Sequence, residues 1–119
     1  MENKIKTFRD LIVWQKGIEL VKEVYRVTKY FPAEEQYGLS AQMRRAAVSV
    51  PSNIAEGFRR RHAKEHKQFL NIALGSCGEL ETQIVISKEL DYIDNQNEKI
   101  LMELIDHICG MAVNLSNKL

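Results

Sequence analysis

The chain has 119 residues, of which 45% are hydrophobic and 28% are charged, a balance typical of a globular domain and not of a disordered chain. Its formal net charge of +1 excludes an overall field that would attract the protein to nucleic acid or to an anionic membrane. This length predicts one domain, 1–119, built around one hydrophobic core.

The first periodic segment begins shortly after the N-terminal residues. Its apolar side chains, spaced three and four residues apart as on one face of an α-helix, are Leu11, Trp14, Ile18, Val21, Tyr25 and Thr28. Thr7 is suited to cap the start of this helix with its hydroxyl group. Pro32 is expected to end the helix, because the residue before a proline is disfavoured in the helical region.

Three further segments carry the same repeat. The second runs from about Leu39 to Arg61, and the third ends near Leu90, before the turn-forming pair Asp94-Asn95. The apolar stripe of the second segment is Leu39, Met43, Ala47, Val50, Ile54 and Phe58. The stripe of the third is Leu70, Ala73, Cys77, Leu80 and Ile84. The stripe of the fourth is Leu101, Leu104, Ile108, Met111 and Leu115.

These four segments decide the predicted fold class. No segment alternates apolar and polar residues with a period of two, and no Asn-Gly or Asp-Gly hairpin turn occurs. Four amphipathic helices joined by short connections predict an all-α fold, an antiparallel up-down four-helix bundle.

Membrane and redox features point to the cytoplasm. No apolar run approaches the roughly 18 residues of a membrane span, and MENKIKTFRD lacks the apolar segment of a signal peptide. Cys77 and Cys109 lie far apart without a CxxC partner, which predicts reduced, buried thiols instead of a structural disulfide. We therefore expect a cytoplasmic protein without a membrane partner.

Pro51 interrupts the second helix near its middle. It has no N–H group to donate and its ring crowds the carbonyl group of Ala47, so we predict a kink at Pro51. Ser49, Ser52 and Asn53 carry side chains that can hydrogen-bond the backbone groups freed by such a kink. The alternative is a complete break into two shorter helices.

The outer face of the second helix lacks the charges of a solvated surface. Residues 46–55 include no charged side chain, and small residues occupy the side opposite Val50. Small side chains let another helix approach closely, which predicts that this face packs on a second copy of the chain. The alternative is an ordinary surface. The predicted oligomer interface is Arg45, Ser49, Ser52, Asn53 and Glu56.

Two glycines, Gly75 and Gly78, lie inside the third helix. Each glycine costs up to about 1 kcal/mol relative to alanine in a helix, so the pair predicts a close contact with another backbone. The alternative is a local bend or break of this helix.

Three stretches, FRDLIVWQKG, FPAEEQYGLSAQMRRAAVSVPSNIAEG and FLNIALGSCGELETQI, resemble the bacterial family of 23S rRNA intervening-sequence proteins, also called four helix bundle proteins. The resemblance implies an antiparallel four-helix bundle that assembles as a homopentameric ring. A related branch, the accessory variability determinant of diversity-generating retroelements, is a basic pentamer that binds a reverse transcriptase and nucleic acid. The near-neutral charge of this chain departs from that branch.

The sequence HAKEH at residues 62–66 matches HxxEH, a zinc-ligand pattern of some metalloproteases. The neighbouring cations disfavour a dication and no third ligand is suitably spaced, so we expect two exposed histidines that bind no metal. Neither a glycine-rich phosphate loop nor a nucleophile elbow occurs. We therefore expect no enzymatic activity, no cofactor and no metal.

Charge is unevenly distributed along the chain. Residues 44–67 hold seven Arg or Lys against two Glu, a net charge of +5, and residues 79–119 hold three Lys against eight Asp or Glu, a net charge of −5. The basic cluster predicted to bind nucleic acid is Arg59, Arg60, Arg61, Lys64 and Lys67. On a helix, three consecutive arginines spread over about 200° and cannot read one groove, so we expect contacts to phosphates.

Two functions are compatible with these patterns. The first is a non-enzymatic homo-oligomeric scaffold, preferably a pentamer, whose basic rim binds the backbone of RNA or DNA. The second is a protein-interaction ring with no role in nucleic-acid binding, whose acidic and basic ends dock protein partners.

Overall fold

The computed structural model describes residues 4–119. Four α-helices make up most of this range: α1 (Ile12–Thr28), α2 (Leu39–Phe58), α3 (Ala63–Glu89) and α4 (Asn95–Asn117). Short 3-10 helices precede α1 at Phe8–Asp10 and α2 at Ala33–Glu35. Residues 4–119 contain no β-strand, so the predicted all-α fold is confirmed.

The four helices close into a bundle, because each packs on its neighbour in sequence and α1 also packs on α4. Neighbouring helices run antiparallel. Met43 near the start of α2 meets Ser87 at the end of α3, and Gly57 at the end of α2 meets His66 at the start of α3. The α2–α3 connection therefore lies at one end of the bundle, with the start of α1 and the end of α4, and the other two connections lie at the opposite end.

The boundaries of α1 differ from the predicted ones. Thr7 accepts a hydrogen bond from a backbone N–H, and its own N–H donates to the Asp10 carboxylate at 3.0 Å. This reciprocal cap belongs to the preceding 3-10 helix and not to α1 itself. Helix α1 ends at Thr28, so Pro32, four residues further on, is not what stops it.

Helix α2 ends at Phe58, so the prediction that it continues to Arg61 is wrong. A Cβ atom added to Gly57 would lie only 2.9 Å from the nearest side-chain atom of α3. Because the two backbones are already this close, the chain reverses direction directly after Phe58. Helix α3 ends at Glu89 and α4 begins after Asp94, as the predicted turn requires.

The core face of α1 is the stripe next to the predicted one. The buried positions are Val13, Gly17, Leu20, Val24 and Val27. Of the predicted stripe, only Thr28 is buried, Trp14, Ile18 and Val21 are half-buried, and Tyr25 is 45% exposed. Both stripes have the spacing of a helix face. The buried one includes Gly17, the one residue of α1 small enough to let α2 come close.

In the other helices the predicted stripes are buried along most of their length. In α2 the buried residues of the predicted stripe are Met43, Ala47, Val50 and Ile54. In α3 all five residues of the predicted stripe are buried. Leu101, Leu104 and Ile108 are buried in α4, and Met111 and Leu115 are half-buried. Among residues 4–119 no helix has the length and apolar composition needed to cross a membrane.

Helix α2 is continuous across Pro51, so the alternative of two shorter helices is wrong. The kink itself stays a prediction. Pro51 is buried, because it packs on Gly17 of α1. Asn53 donates its side-chain N–H to the carbonyl oxygen of Ser49 at 2.8 Å. The carbonyl group that lacks a donor because of Pro51 is that of Ala47, so a side-chain bond to a freed backbone group stays a prediction.

Gly75 and Gly78 make no close contact within the described residues. A Cβ atom at either position would meet no heavy atom within 4 Å, and both glycines are exposed. Helix α3 runs without interruption through them, so the alternative of a broken helix is wrong. No contact within residues 4–119 therefore compensates for the helix stability that is lost by having glycine at these two positions.

Candidate nucleic-acid and assembly surfaces

Cations from three separate stretches of the chain gather where α2 connects to α3. The connection supplies Arg59, Arg60 and Arg61, and the first turns of α3 supply Lys64 and Lys67. Because α1 begins and α4 ends at the same place, further cations join them, namely Lys4, Lys6, Arg9 and Lys118. We call these nine residues the basic end. The sequence reasoning missed the four added residues. The predicted up-down topology could have indicated them, because it places the start of α1 and the end of α4 at this end of the bundle.

The three arginines do not lie on a helix, so the prediction that they spread around a helix surface is wrong. The guanidinium of Arg59 lies over the ring of Phe8, 5.3 Å from its centroid, which links the connection to the N-terminal segment. Arg60 pairs with the carboxylates of Glu56 at 3.0 Å and Glu65 at 4.0 Å. Arg60 is therefore committed to contacts within the chain.

Other cations of the basic end have no such partner. Within residues 4–119, no carboxylate lies within ion-pairing distance of Arg61, Lys64 or Lys67, and all three side chains are exposed. Unpaired, solvated cations on one small surface attract polyanions such as a phosphate backbone.

The two histidines of HAKEH lie in different surroundings. His62 is exposed, as expected, and precedes the first residue of α3. His66 is buried, so the expectation that both histidines are exposed is wrong. Its Nε2 atom has no hydrogen-bond partner, and burial lowers the pKa of its imidazole. The described residues contain no group of three side chains that could hold a metal ion.

The opposite end of the bundle is acidic. Its two connections carry Glu34, Glu35, Asp91 and Asp94 against one cation, Lys29, and Glu89 ends α3 beside them. Tyr92 donates its hydroxyl group to the Glu35 carboxylate at 3.0 Å, and this hydrogen bond raises the pKa of Tyr92. The long dimension of the bundle is 46 Å, so its basic and acidic ends are well separated.

The predicted interface residues divide into two groups. Arg45, Ser52 and Glu56 are exposed on the outer face of α2. The other two belong to a polar network within the chain, since the Ser49 hydroxyl lies 2.8 Å from that of Ser76 on α3 and accepts from Asn53 at 2.9 Å. This network joins α2 to α3 and leaves only part of Ser49 and Asn53 accessible.

Exposed apolar residues extend this face in two directions, and the sequence reasoning missed those of α3 and its C-terminal end. On α2, Val48 is 42% exposed. On α3, Ile72 is 50% exposed and Ile86 is 43% exposed, and Leu90, directly after α3, is 50% exposed. In the sequence, the residues Ile72, Ile86 and Leu90 could have been recognised as apolar side chains outside the core stripe of α3. We call Arg45, Val48, Ser52, Glu56, Ile72, Gly75, Ile86 and Leu90 the α2–α3 face.

The sequence of the chain also matches known proteins. The model of a family described as 23S rRNA-intervening sequence protein matches residues 9–114. The crystal structure of a protein of unknown function from the S23 ribosomal protein family of Bacteroides thetaiotaomicron is similar, with a TM-score of 0.82 and 20% sequence identity over 88% of this chain and 98% of that one. At this identity the likeness concerns the fold alone.

A comparison of the chain with curated proteins finds no match. The family match begins before α1 and reaches into the last turn of α4, so it includes nearly all of the bundle described above. The chain belongs to the 23S rRNA-intervening sequence protein family.

Proposed function

We propose that the protein is a non-enzymatic, cytoplasmic scaffold that assembles from several copies, preferably five, and binds nucleic-acid phosphates, those of RNA in the first place, through its basic end. One observation carries this proposal. Arg61, Lys64 and Lys67 are exposed without carboxylate partners, next to other cations from both termini of the described chain. Five such ends on one rim would make a strongly positive surface.

Phosphate contacts suit this end better than base stacking. Phe8 and Phe69 lie at this end, and both rings are already under guanidinium groups, those of Arg59 and Arg60 respectively. Proteins that bind single strands usually offer free aromatic faces to the bases. We expect binding that depends little on base sequence and that weakens steeply with added salt.

The α2–α3 face supports the assembly. It combines exposed apolar side chains with Gly75, where nothing within the described chain occupies the space that a side chain would fill. Arg45 has no carboxylate partner within residues 4–119. A neighbouring copy that covers this face would bury the apolar groups and supply the missing charge partner.

The second candidate is a protein-interaction ring with no nucleic-acid role. The acidic end favours it, because a cluster of carboxylates repels phosphates and attracts basic protein surfaces. In this alternative the basic end docks acidic protein segments.

A mobility-shift assay separates the two candidates. The assay uses structured RNA, duplex DNA and a polyanion control, at about 50 mM salt and at higher salt. We expect the parent to bind RNA and duplex DNA, and the variant Arg59→Ala, Arg60→Ala, Arg61→Ala to lose binding with its oligomer mass unchanged. Because Arg60 already pairs with Glu56, the single variant Arg60→Ala should lose less binding than Arg61→Ala.

The matched control removes three cations elsewhere, in Lys22→Ala, Lys29→Ala, Lys99→Ala, and it should bind like the parent. Unaltered binding in the triple arginine variant, or no binding by the parent at about 50 mM salt, would favour the protein-interaction ring.

A further inference from the structure

A cleft of about 1010 Å³ opens at the basic end, between the N-terminal segment, the start of α1 and the end of α4. Its floor is apolar and consists of Leu11, Val13, Met111 and Leu115. Two large side chains at its edge are unusually exposed, Ile5 at 50% and Ile12 at 60%. Binding sites for small molecules combine such an apolar lining with a few polar groups.

Three lysines supply the positive charge of this cleft, which Asp10, Gln15 and Asn114 also line. Lys4 and Lys6 come from the N-terminal segment and Lys118 from the residue after α4, so opposite parts of the chain contribute lysines to one cleft. None of the three has a carboxylate within ion-pairing distance in the described residues. The Asp10 carboxylate of the same cleft accepts backbone N–H groups, so an anionic group at the mouth of the cleft would meet three lysines that form no ion pair within the described residues.

The segment that forms one wall is held in a defined conformation. Asp10 accepts the backbone N–H groups of Lys6 at 2.8 Å and Thr7 at 3.0 Å, and these bonds lower the pKa of its carboxyl group. Gln15 donates its side-chain N–H to the carbonyl oxygen of Arg9 at 2.8 Å. The wall is thus formed before any ligand arrives, which reduces the entropic cost of binding.

We propose that this cleft binds an amphipathic carboxylate, a molecule with a linear hydrocarbon body that covers Ile5 and Ile12 and a terminal carboxylate that pairs with Lys4, Lys6 and Lys118. The three lysines also belong to the basic end, but a phosphate backbone has no hydrocarbon body to cover the two isoleucines, so the ligand proposed here differs from nucleic acid. The volume of the cleft lies at the upper end of the range for small-molecule sites.

Isothermal titration of the full chain with decanoate tests the proposal, with decanol as the uncharged comparison. We expect saturable binding of decanoate and weaker binding of decanol. The variant Lys4→Ser, Lys6→Ser, Lys118→Ser should bind decanoate about tenfold more weakly, because exposed ion pairs each contribute less than one tenfold step. The matched control Lys22→Ser, Lys29→Ser, Lys99→Ser should bind like the parent.

Several results would overturn the proposal. These are no saturable binding, equal binding of decanol and decanoate, or equal losses in the two triple lysine variants. If Ile12→Ser lowers the oligomer mass and decanoate does not bind, a second copy covers the cleft instead. Decanoate binding by the variant Arg59→Ala, Arg60→Ala, Arg61→Ala should equal that of the parent, whether or not the parent binds nucleic acid.

Discussion

Gly17 of α1 lies directly against Pro51 of α2, so close that a Cβ atom on the glycine would be 3.0 Å from the Cβ atom of the proline. Both residues are buried. The glycine removes the side chain that would separate the two helices, and the proline fills the space with a rigid ring. This contact explains why an apolar proline is accommodated inside a helix at this position.

Gly17→Val should destabilise the protein by about 1–3 kcal/mol, because the added side chain would have to displace the Pro51 ring or the α2 backbone. Urea unfolding followed by circular dichroism measures the effect. Gly110→Ala is the matched control. Gly110 is exposed in α4, where an added Cβ atom meets nothing within 4 Å, so this variant should gain up to about 1 kcal/mol. Equal effects of the two changes would contradict the close contact.

Pro51→Ala should restore a backbone N–H donor to the carbonyl oxygen of Ala47, a gain of up to about 3 kcal/mol in a helix interior. The loss of two buried methylene groups offsets about 1.6 kcal/mol of that gain. We expect a chain that is no less stable but has a straighter α2 that fits its neighbour less well. Light scattering should then give a lower oligomer mass at equal concentration. A crystal structure of the parent with a straight α2 would refute the predicted kink.

Ser52→Arg tests the assembly through the α2–α3 face. Ser52 is exposed, so the fold should tolerate the larger side chain, whereas a close helix contact between copies should not. Size exclusion with light scattering should give several times 13.8 kDa for the parent and a shift toward that mass for the variant. Helical circular dichroism should remain.

The matched control for this prediction is Asn71→Arg. It adds the same exposed charge on α3 at a position about 140° around the helix from Ser76, which contacts α2. The control should keep the mass of the parent. A sharp monomer peak for the parent at micromolar concentration would rule out the assembly.

The buried imidazole of His66 should make stability depend on pH. Burial lowers its pKa in the folded chain, whereas in the unfolded chain it takes up a proton near pH 6.5. The folded state therefore binds fewer protons than the unfolded state below about pH 6.5, and stability should fall as the pH drops through that value. His66→Leu should remove this part of the dependence in urea unfolding at a series of pH values.

His62→Gln is the control for His66, because His62 is exposed at the boundary of α3. It should keep the slope of the parent. A parent and a His66→Leu variant with the same dependence of unfolding free energy on pH would contradict the burial of His66.

The thiols should react slowly in the folded protein. Burial, together with the nearby Cys109, raises the pKa of Cys77 to about 12, and burial also raises the pKa of Cys109. Because the thiolate is the reactive form, alkylation at mildly alkaline pH should leave Cys77 unmodified and modify Cys109 only slowly. Mass spectrometry after unfolding in urea should find both modified. Rapid labelling of Cys77 in the folded protein would contradict its burial.

The sequence by itself was enough to predict four helices, the turn before α4 and most of the core of α2, α3 and α4. These features depend on local preferences and on a repeat of three and four residues. In α1 two neighbouring stripes had that repeat, and the sequence did not distinguish them. The stripe that turns inward includes Gly17, which packs on Pro51, and this contact joins residues far apart in the sequence.

The candidate sites divide in the same way. Arg59, Arg60, Arg61, Lys64 and Lys67 are adjacent in sequence and were found there. Only the tertiary structure shows which of them already contact other side chains of the chain, since Arg60 pairs with Glu56 and Arg59 lies over the ring of Phe8. It also added cations from both termini of the described chain and buried His66. Such groupings join residues far apart in the chain, and they arise only when the antiparallel helices bring their ends together.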